Sequence, residues 1–243
     1  MSSQILIDNL SFSYESKPLI QNLSLSVQAG EILTLIGASG SGKTTLLKLL
    51  CGLLTCQQGN VALCQERLPA AKRHIAFMMQ QDVLLPWRTI LGNVMLAAEL
   101  TETSVKKAEA LDLLKAVDLA HCADLFPEAL SGGMRQRVAL ARVLLQKRAI
   151  LLLDEPFANL DVLLREQLYL LLRTLRSQFG LTIILVTHDF RDALVLSDRI
   201  ALLSNGTIEQ QWSIPSETHL DPVAMADWQK RLRTSIYTSN FIC

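Results

Sequence analysis

The chain carries no excess of either charge: its Lys and Arg number 23 and its Asp and Glu number 23, a formal net charge of zero over 243 residues. Without a basic surplus there is no electrostatic footprint for nucleic acid, and no nucleic-acid partner is expected. Apolar runs are short as well. Segments such as ILLL at residues 150–153 and IILV at residues 183–186 fall far below the 18 or more apolar residues of a spanning helix, so the chain is not expected to cross a membrane by itself. The five cysteines, Cys51, Cys56, Cys64, Cys122 and Cys243, form no C-x-x-C pair and have no histidines at zinc-finger spacing. That pattern indicates ordinary thiols in a reducing compartment rather than a metal or redox site. The opening MSSQILIDNL lacks the basic-then-apolar order of a secretory leader, from which a cytosolic location is expected. Internal repeats and low-complexity tracts are missing too.

What is present is length and apolar content: 243 residues, 50% of them hydrophobic, suffice for one large α/β domain with an insert. Alternation in ILIDNLSFSY and LSLSV reads as half-buried strands, and EILTLIG is a continuous apolar run closed by glycine, as in a buried parallel strand. TTLLKLLCGLL has helical spacing, and GNVALC and HIAFMM read again as strands. From about residue 88 to residue 146 the period is helical, in LGNVMLAAEL, VKKAEALDLLKAVDLA and MRQRVALARVLLQ. Buried strands return in AILLLDE and LTIILVTH, with the long helix DVLLREQLYLLLRTLRSQF between them, and Asn205-Gly206 makes a hairpin turn between IALLS and TIEQQW. Beyond Pro215 the pattern fades into a polar tail holding Trp228 and the cluster KRLR. The organisation expected is an α/β domain over residues 1–215, with a helical subdomain at about 88–146, and a short C-terminal tail at 216–243.

Residues 37–44 read GASGSGKT, which matches the phosphate-loop pattern G-x-x-x-x-G-K-S/T and stands where such a loop must, after a buried strand and before a helix. Gly37, Gly40 and Gly42 let the backbone around Ala38, Ser39 and Ser41 curl so that amide N–H groups converge on a β-phosphate, and the following helix adds the positive end of its dipole. Lys43 would neutralise phosphate charge, Thr44 would ligate Mg²⁺, and Thr45 joins them in the nucleotide-binding set. The run at residues 150–153 delivers Asp154 and Glu155 at a strand end. Asp154 would hold Mg²⁺ through water. Glu155, one residue on and pointing to the opposite side of the strand, can lie against an attacking water as general base. Two acids often merely end a strand, but a phosphate loop needs such an acid and no other strand supplies one. His188 follows a third buried strand in LVTHD; taken alone, a strand-end histidine is more often structural than catalytic.

The segment LSGGM at residues 130–134, opening the helix RQRVALARVLL, completes a series of motifs that resembles the ATP-binding cassette (ABC) transporter ATPases over roughly residues 4–212. Tyr14 matches the aromatic that stacks on adenine, GASGSGKT the Walker A loop, Gln80 the Q-loop glutamine, LSGGM the signature and ILLLDE Walker B. Residues 158–161 (ANLD), ending in Asp161, match the D-loop, and His188 the switch histidine. The fold implied is α/β, a P-loop NTPase core of the ABC type with an N-terminal antiparallel β subdomain and an inserted helical subdomain. ATP and Mg²⁺ are the implied cofactors, with Thr44, Asp154 and Gln80 on the metal. Ser131, Gly132 and Gly133 sit at a helix N-terminus and form a second anion site, which in the family faces the γ-phosphate on a partner cassette. A homodimer around two ATP is therefore implied. In it Glu155 polarises water, His188 steadies the γ-phosphate, and Lys43 stabilises the developing charge.

MMQQDVLLPW at residues 78–87 sets two amides and a carboxylate beside a bulky apolar patch. In the family this segment joins the core to the helical subdomain, beside the surface that receives a coupling helix from the membrane subunit. LLPW after the Q-loop, with Met in LSGGM, resembles the nitrate, sulfonate and taurine importer branch, a look shared by importers of thiamine pyrimidine precursors. The partners implied are two transmembrane permease subunits and a separate periplasmic or lipid-anchored solute-binding protein, with the cassette peripheral on the cytoplasmic face of the inner membrane. Trp87 is expected as an exposed contact for the membrane subunit, the other reading being packing within the subdomain. Gln81 doubles the glutamine, and the spacing to LLPW favours Gln80. ANLD departs from the commoner SALD or GALD but keeps Asp161, and the tail is too short for the regulatory domain of many sugar-type importers. Two other classes remain: a soluble ABC ATPase acting on DNA, ribosomes or cluster assembly, whose long coiled coils or paired cassettes are not seen here, and an exporter-type ATPase, which usually reads LSGGE or LSGGQ.

Overall fold

A computed structural model describes residues 3–15, 17–100, 105–158, 160–218 and 221–240; Asn159 of the ANLD segment and Cys243 lie outside them. Strand β1 (Ser3–Tyr14) pairs antiparallel with β2 (Lys17–Gln28) and with β4 (Gln58–Leu63), which in turn pairs with the two-residue β5 (Glu66–Arg67), in the order β2-β1-β4-β5. Alternation, reset by irregularities at the left-handed Asn9 and Asn22, puts Ile5, Ile7, Leu10 and Phe12 of β1 and Ile20, Leu23, Leu25 and Val27 of β2 inside. The second sheet runs β10-β9-β3-β8-β7-β6. Its parallel members are β3 (Ile32–Ile36), β6 (Ile75–Met78), β7 (Ile150–Asp154), β8 (Thr182–Val186) and β9 (Arg199–Ser204), and β10 (Thr207–Ser213) closes one edge antiparallel.

Every residue of β3, β7 and β8 is buried, as continuous apolar runs require of strands covered on both faces. The two faces feed different cores. Ile150, Leu152, Ile184 and Val186 join α1 (Lys43–Leu50) and the inner face of the antiparallel sheet, so α1 lies between the two sheets. Leu151, Leu153, Ile183 and Leu185 join the opposite core, built from α2 (Ile90–Leu100), α3 (Lys107–Ala116), α4 (Gly132–Leu144) and α5 (Val162–Phe179).

Register decides where function can sit. Leu35 of β3 pairs with Val186 of β8, and Val186 pairs with Asp154 of β7, so these three strands end level at their carboxyl ends. The β9–β10 turn has φ 48° at Asn205 and 76° at Gly206, the left-handed pair of a two-residue hairpin. Gly206 also joins the sheets: its carbonyl accepts from Gln21 N at 2.9 Å, and a Cβ there would stand 2.7 Å from the Leu19 carbonyl oxygen.

The tail differs from the sequence reading. After α6 (Phe190–Leu196) and β10, residues Pro222–Asn240 form a nineteen-residue helix, α7, rather than a patternless polar tail. Its apolar stripe is thin, Met225, Trp228, Leu232 and Ile236, but the spacing is helical, and Leu232 is fully buried in a third cluster with Ala193, Leu194, Ile200, Leu202 and Ile214. Leu232→Ala is expected to cost about 2–5 kcal/mol of that docking. Hydrogen exchange across α7, followed with the melting curve, should show lost protection; unchanged protection would mean that the stripe does not hold the helix.

Candidate nucleotide site

At the level ends of β3, β7 and β8 lies a cleft of about 380 Å³ lined by Gly37, Ser39, Gly40, Gly42, Lys43, Thr44, Thr45, Gln80, Asp154, Glu155 and His188, with Leu19 and Val186 beside them. Gly37 has to be glycine, because a Cβ would stand 2.2 Å from the Leu203 carbonyl oxygen of β9. The Lys43 ammonium donates to the carbonyls of Gly37 at 2.9 Å and Ala38 at 2.8 Å, with the Ser41 hydroxyl 3.5 Å away, so the loop is wrapped around its own lysine. Burial pulls Lys43 below the usual lysine range, and the carboxylates of Glu155 and Asp154 work against that shift.

Asp154 is buried, and burial raises its pKa while the Thr44 hydroxyl and the ammoniums of Lys43 and Lys48 pull it back. Its Oδ2 is buried without a hydrogen-bond partner. A divalent cation beside the Thr44 hydroxyl would satisfy that oxygen, so these residues fit Mg²⁺. Among the described residues no three or more His, Cys, Asp or Glu gather to hold a metal, so a cation here would complete its shell with phosphate and water, as Mg²⁺ habitually does.

Glu155 does not follow the strand alternation expected of it. The strand ends at Asp154, and Glu155 takes φ 52°, a left-handed turn that brings both acids to the same cleft. A non-glycine residue held there stores about 1–3 kcal/mol of strain. Two bonds hold its main chain: its N–H donates to the Val186 carbonyl at 2.9 Å, and its carbonyl accepts from Gln136 Nε2 at 2.5 Å. The Glu155 carboxylate is nearly enclosed, 12% exposed, and accepts from Nδ1 of His188 at 2.9 Å, which turns the Nε2 of a ring 77% exposed toward solvent. Behind His188 stands a buried network. Asp192 accepts from the Thr187 hydroxyl at 2.7 Å and from the Tyr169 phenol, and the Thr187 hydroxyl in turn accepts from Asp189 N at 3.1 Å. Burial, with Asp192 as acceptor, holds the Tyr169 phenol far above its usual range.

Other residues expected at the site lie elsewhere on the chain. Tyr14 is exposed at the end of β1, edge-on to Phe12 at 4.9 Å, and does not line the cleft. Ser131 caps α4, its hydroxyl accepting from Met134 N at 3.3 Å, so Gly132 and Gly133 open that helix outside the phosphate-loop cleft. Gly132 instead lines a second, polar cleft with Gln80, Gln81, Asp82, Val83 and Gln136. Gln80 lines both clefts and Gln81 only the second, which favours Gln80 as the Q-loop residue. Asp161 caps α5, accepting from Leu164 N at 3.0 Å.

Three contributors escaped the sequence reading. Leu19 enters the cleft from β2, Gln136 of α4 bonds the Glu155 carbonyl from the neighbouring second cleft, and buried Asn93 staples the LLPW turn. Asn93 Nδ2 donates to the carbonyls of Leu85, Arg88 and Thr89 at 3.0–3.1 Å, and its Oδ1 accepts from Leu85 N at 2.7 Å. The only hint available was a polar residue inside LGNVMLAAEL. The staple leaves Trp87 72% exposed.

A carboxyl whose folded-state pKa is raised binds its proton more tightly folded than unfolded, so stability falls as pH climbs from the unfolded pKa through the folded one. Asp154→Asn should therefore raise Tm of the nucleotide-free protein at neutral pH, with the gain vanishing toward about pH 3.9, the ordinary Asp value. Melting curves at both pH values check this; a lower Tm at neutral pH would show that Asp154 stabilises the fold.

The sequence family described as ABC transporter matches residues 20–158. The spermidine/putrescine import ATP-binding protein PotA of Vibrio vulnificus strain YJ016 is 39% identical over 223 residues, 90% of this chain and 59% of that protein. The protein of the same name from Aggregatibacter actinomycetemcomitans is 42% identical over 225 residues, 90% of this chain and 60% of its own. This chain thus spans about three fifths of the length of these curated relatives. Their names speak of polyamine import and not of the nitrate, sulfonate and taurine branch that LLPW suggested. Among solved structures, the dimeric post-hydrolysis state of the ATP-binding cassette MJ0796 bound to ADP and Pi superposes with TM-score 0.80 at 30% identity, over 87% of this chain and 99% of that one. A structure of an ATP binding subunit of an ABC transporter gives TM-score 0.82 at 25% identity, over 95% of this chain and 100% of its own. With the family's pattern across residues 20–158 and this shared cassette fold, the chain belongs to the ABC transporter family, as one of its ATP-binding cassettes.

Proposed function

We propose that the chain hydrolyses ATP as one of two copies that close head to tail around two nucleotides and energise a membrane importer. The observation that carries this reading is the separation of the half-sites: Lys43, Asp154, Glu155 and His188 share one cleft, while Ser131 and Gly132 are exposed at the start of α4, outside it. A nucleotide in one chain's cleft would meet a second anion site only on another copy. The dimeric state of the ADP-bound relative supports the arrangement, and Leu163, 79% exposed beside Asp161, supplies apolar surface for it.

In that closed state Lys43 and the amides of the Walker A loop hold the β- and γ-phosphates. Thr44 and Asp154 would hold Mg²⁺, with Gln80 at the same cleft, and the ion would neutralise phosphate charge. Glu155 takes the proton of the attacking water, and His188, oriented by its Nδ1 bond to that carboxylate, steadies the γ-phosphate. Tyr14 offers an exposed face for the adenine. Glu155→Gln keeps the shape and removes the base: ATP turnover should fall by about 10²–10⁴-fold while ATP drives a stable dimer seen by size exclusion. A variant that stays monomeric at saturating ATP would sink the two-copy mechanism.

For the importer, the supporting observation is an apolar patch at the junction of Q-loop and helical insert. Trp87 projects from the turn stapled by Asn93, and Leu125 and Phe126, also exposed, are tied in by Ile90 N donating to the Leu125 carbonyl at 2.8 Å. Among the described residues no helix is long and apolar enough to cross a membrane, which fits a cassette that docks peripherally on the cytoplasmic side of permease subunits fed by a separate solute-binding protein. The relatives' names favour a polyamine as cargo over nitrate, sulfonate, taurine or a thiamine precursor. Stimulation of the assembled transporter's ATPase by spermidine, compared with taurine, decides between them. Trp87→Ala should weaken assembly with the permease subunits about tenfold or more and leave ATP binding intact; co-purification and hydrolysis equal to the parent's would remove Trp87 from that surface.

A further inference from the structure

Glu155 lines the cleft with its backbone held left-handed at φ 52°. Relaxed to an extended conformation it would continue the alternation of β7 and turn its carboxylate to the face opposite Asp154, away from His188. The bonds on either side of it therefore decide where the carboxylate points. One is a sheet bond to Val186; the other comes from a side chain, Gln136, 7% exposed and carried by α4 four residues beyond Gly132. The same helix grips the loop that follows Gln80. Arg135 Nε donates to Asp82 Oδ2 at 2.8 Å, and the Arg142 guanidinium donates to the carbonyls of Asp82 and Val83, both at 3.0 Å. Val83 has φ 40°, a conformation a β-branched residue adopts only under constraint, so this loop too is bent against α4 and pinned there.

We propose that Gln136 is a positioning residue for hydrolysis: it sets the Glu155 peptide so that the carboxylate faces His188, and α4, clamped by Arg135 and Arg142 to the Asp82–Val83 loop, makes that setting follow the Q-loop. A helix is stiff over so few residues, so a shift of the loop that moves Arg135 carries the neighbouring Gln136 with it. The reading rests on Glu155 acting as the base; it does not rest on the two-copy arrangement or on the identity of the cargo.

Gln136→Met fills the same space and has no N–H to donate. With Mg-ATP, its kcat should fall about 10–100-fold while KM for ATP stays within about twofold, because ground-state binding does not involve the Glu155 peptide. In a Glu155→Gln background the same substitution should leave ATP-driven dimer formation and Tm unchanged, which separates positioning from folding. Arg135→Met should slow turnover as well, and the double variant Arg135→Met/Gln136→Met should be slowed by less than the product of the single effects, since both cut one linkage. A Gln136→Met enzyme with kcat near the parent's overturns the proposal. So does a loss of kcat that tracks a loss of Tm or of the ATP-driven dimer, which would make Gln136 a packing residue, and multiplicative single effects overturn the link to the Q-loop. If Glu155→Gln alone fails to dimerise, the two-copy mechanism fails, and the kcat comparison still judges Gln136.

Discussion

The level ending of three adjacent parallel strands is the constraint on which the rest depends. Because Leu35, Val186 and Asp154 stand in one row across β3, β8 and β7, the phosphate loop, the two acids and His188 leave the sheet at the same height. A one-residue slip of β7 would exchange the core-facing and helix-facing sets Ile150/Leu152 and Leu151/Leu153, and both faces are fully buried by different partners. The hydrophobic cores on the two sides of the sheet thus hold the geometry of the cleft.

That geometry is expensive for the fold. A carboxylate with one unpartnered oxygen, a lysine whose charge is disfavoured by burial and a glutamate in a left-handed backbone all stand within one cleft. Each is a local conflict of the kind that concentrates where function resides. Around them the chain is conventional: buried strands, capped helices and a tight hairpin.

What was legible in the sequence was local. GASGSGKT, ILLLDE, LSGGM and LVTHD each carry their chemistry within a few consecutive residues, and the strands that position them read as continuous apolar runs. What stayed hidden depends on contacts distant in sequence or on a single torsion. The left-handed backbone of Glu155 was not foreseen, because alternation says nothing about where a strand stops. Leu19 and Gln136 belong to the site only through pairings across the fold, and Asn93 looks like any polar residue in a helix until its bonds to Leu85, Arg88 and Thr89 are drawn. The stripe of α7 was missed because its four packed positions are mixed with other apolar residues, Val223 and Tyr237 among them, that stay exposed and blur the period. The family likeness found the cassette, while the branch that LLPW suggested is not the one the relatives' names give.

The β9–β10 turn has a mechanical consequence. Within four residues, Leu203 abuts Gly37 at the base of the phosphate loop and Gly206 bonds Gln21 of the antiparallel sheet. The hairpin is thus a joint without slack: a side chain added at Gly37 would push on Leu203 and one added at Gly206 on Leu19, and either push is felt on both sides of the joint. For anyone redesigning this cassette, those two glycines are one site, and the edge strands and the phosphate loop have to be altered together.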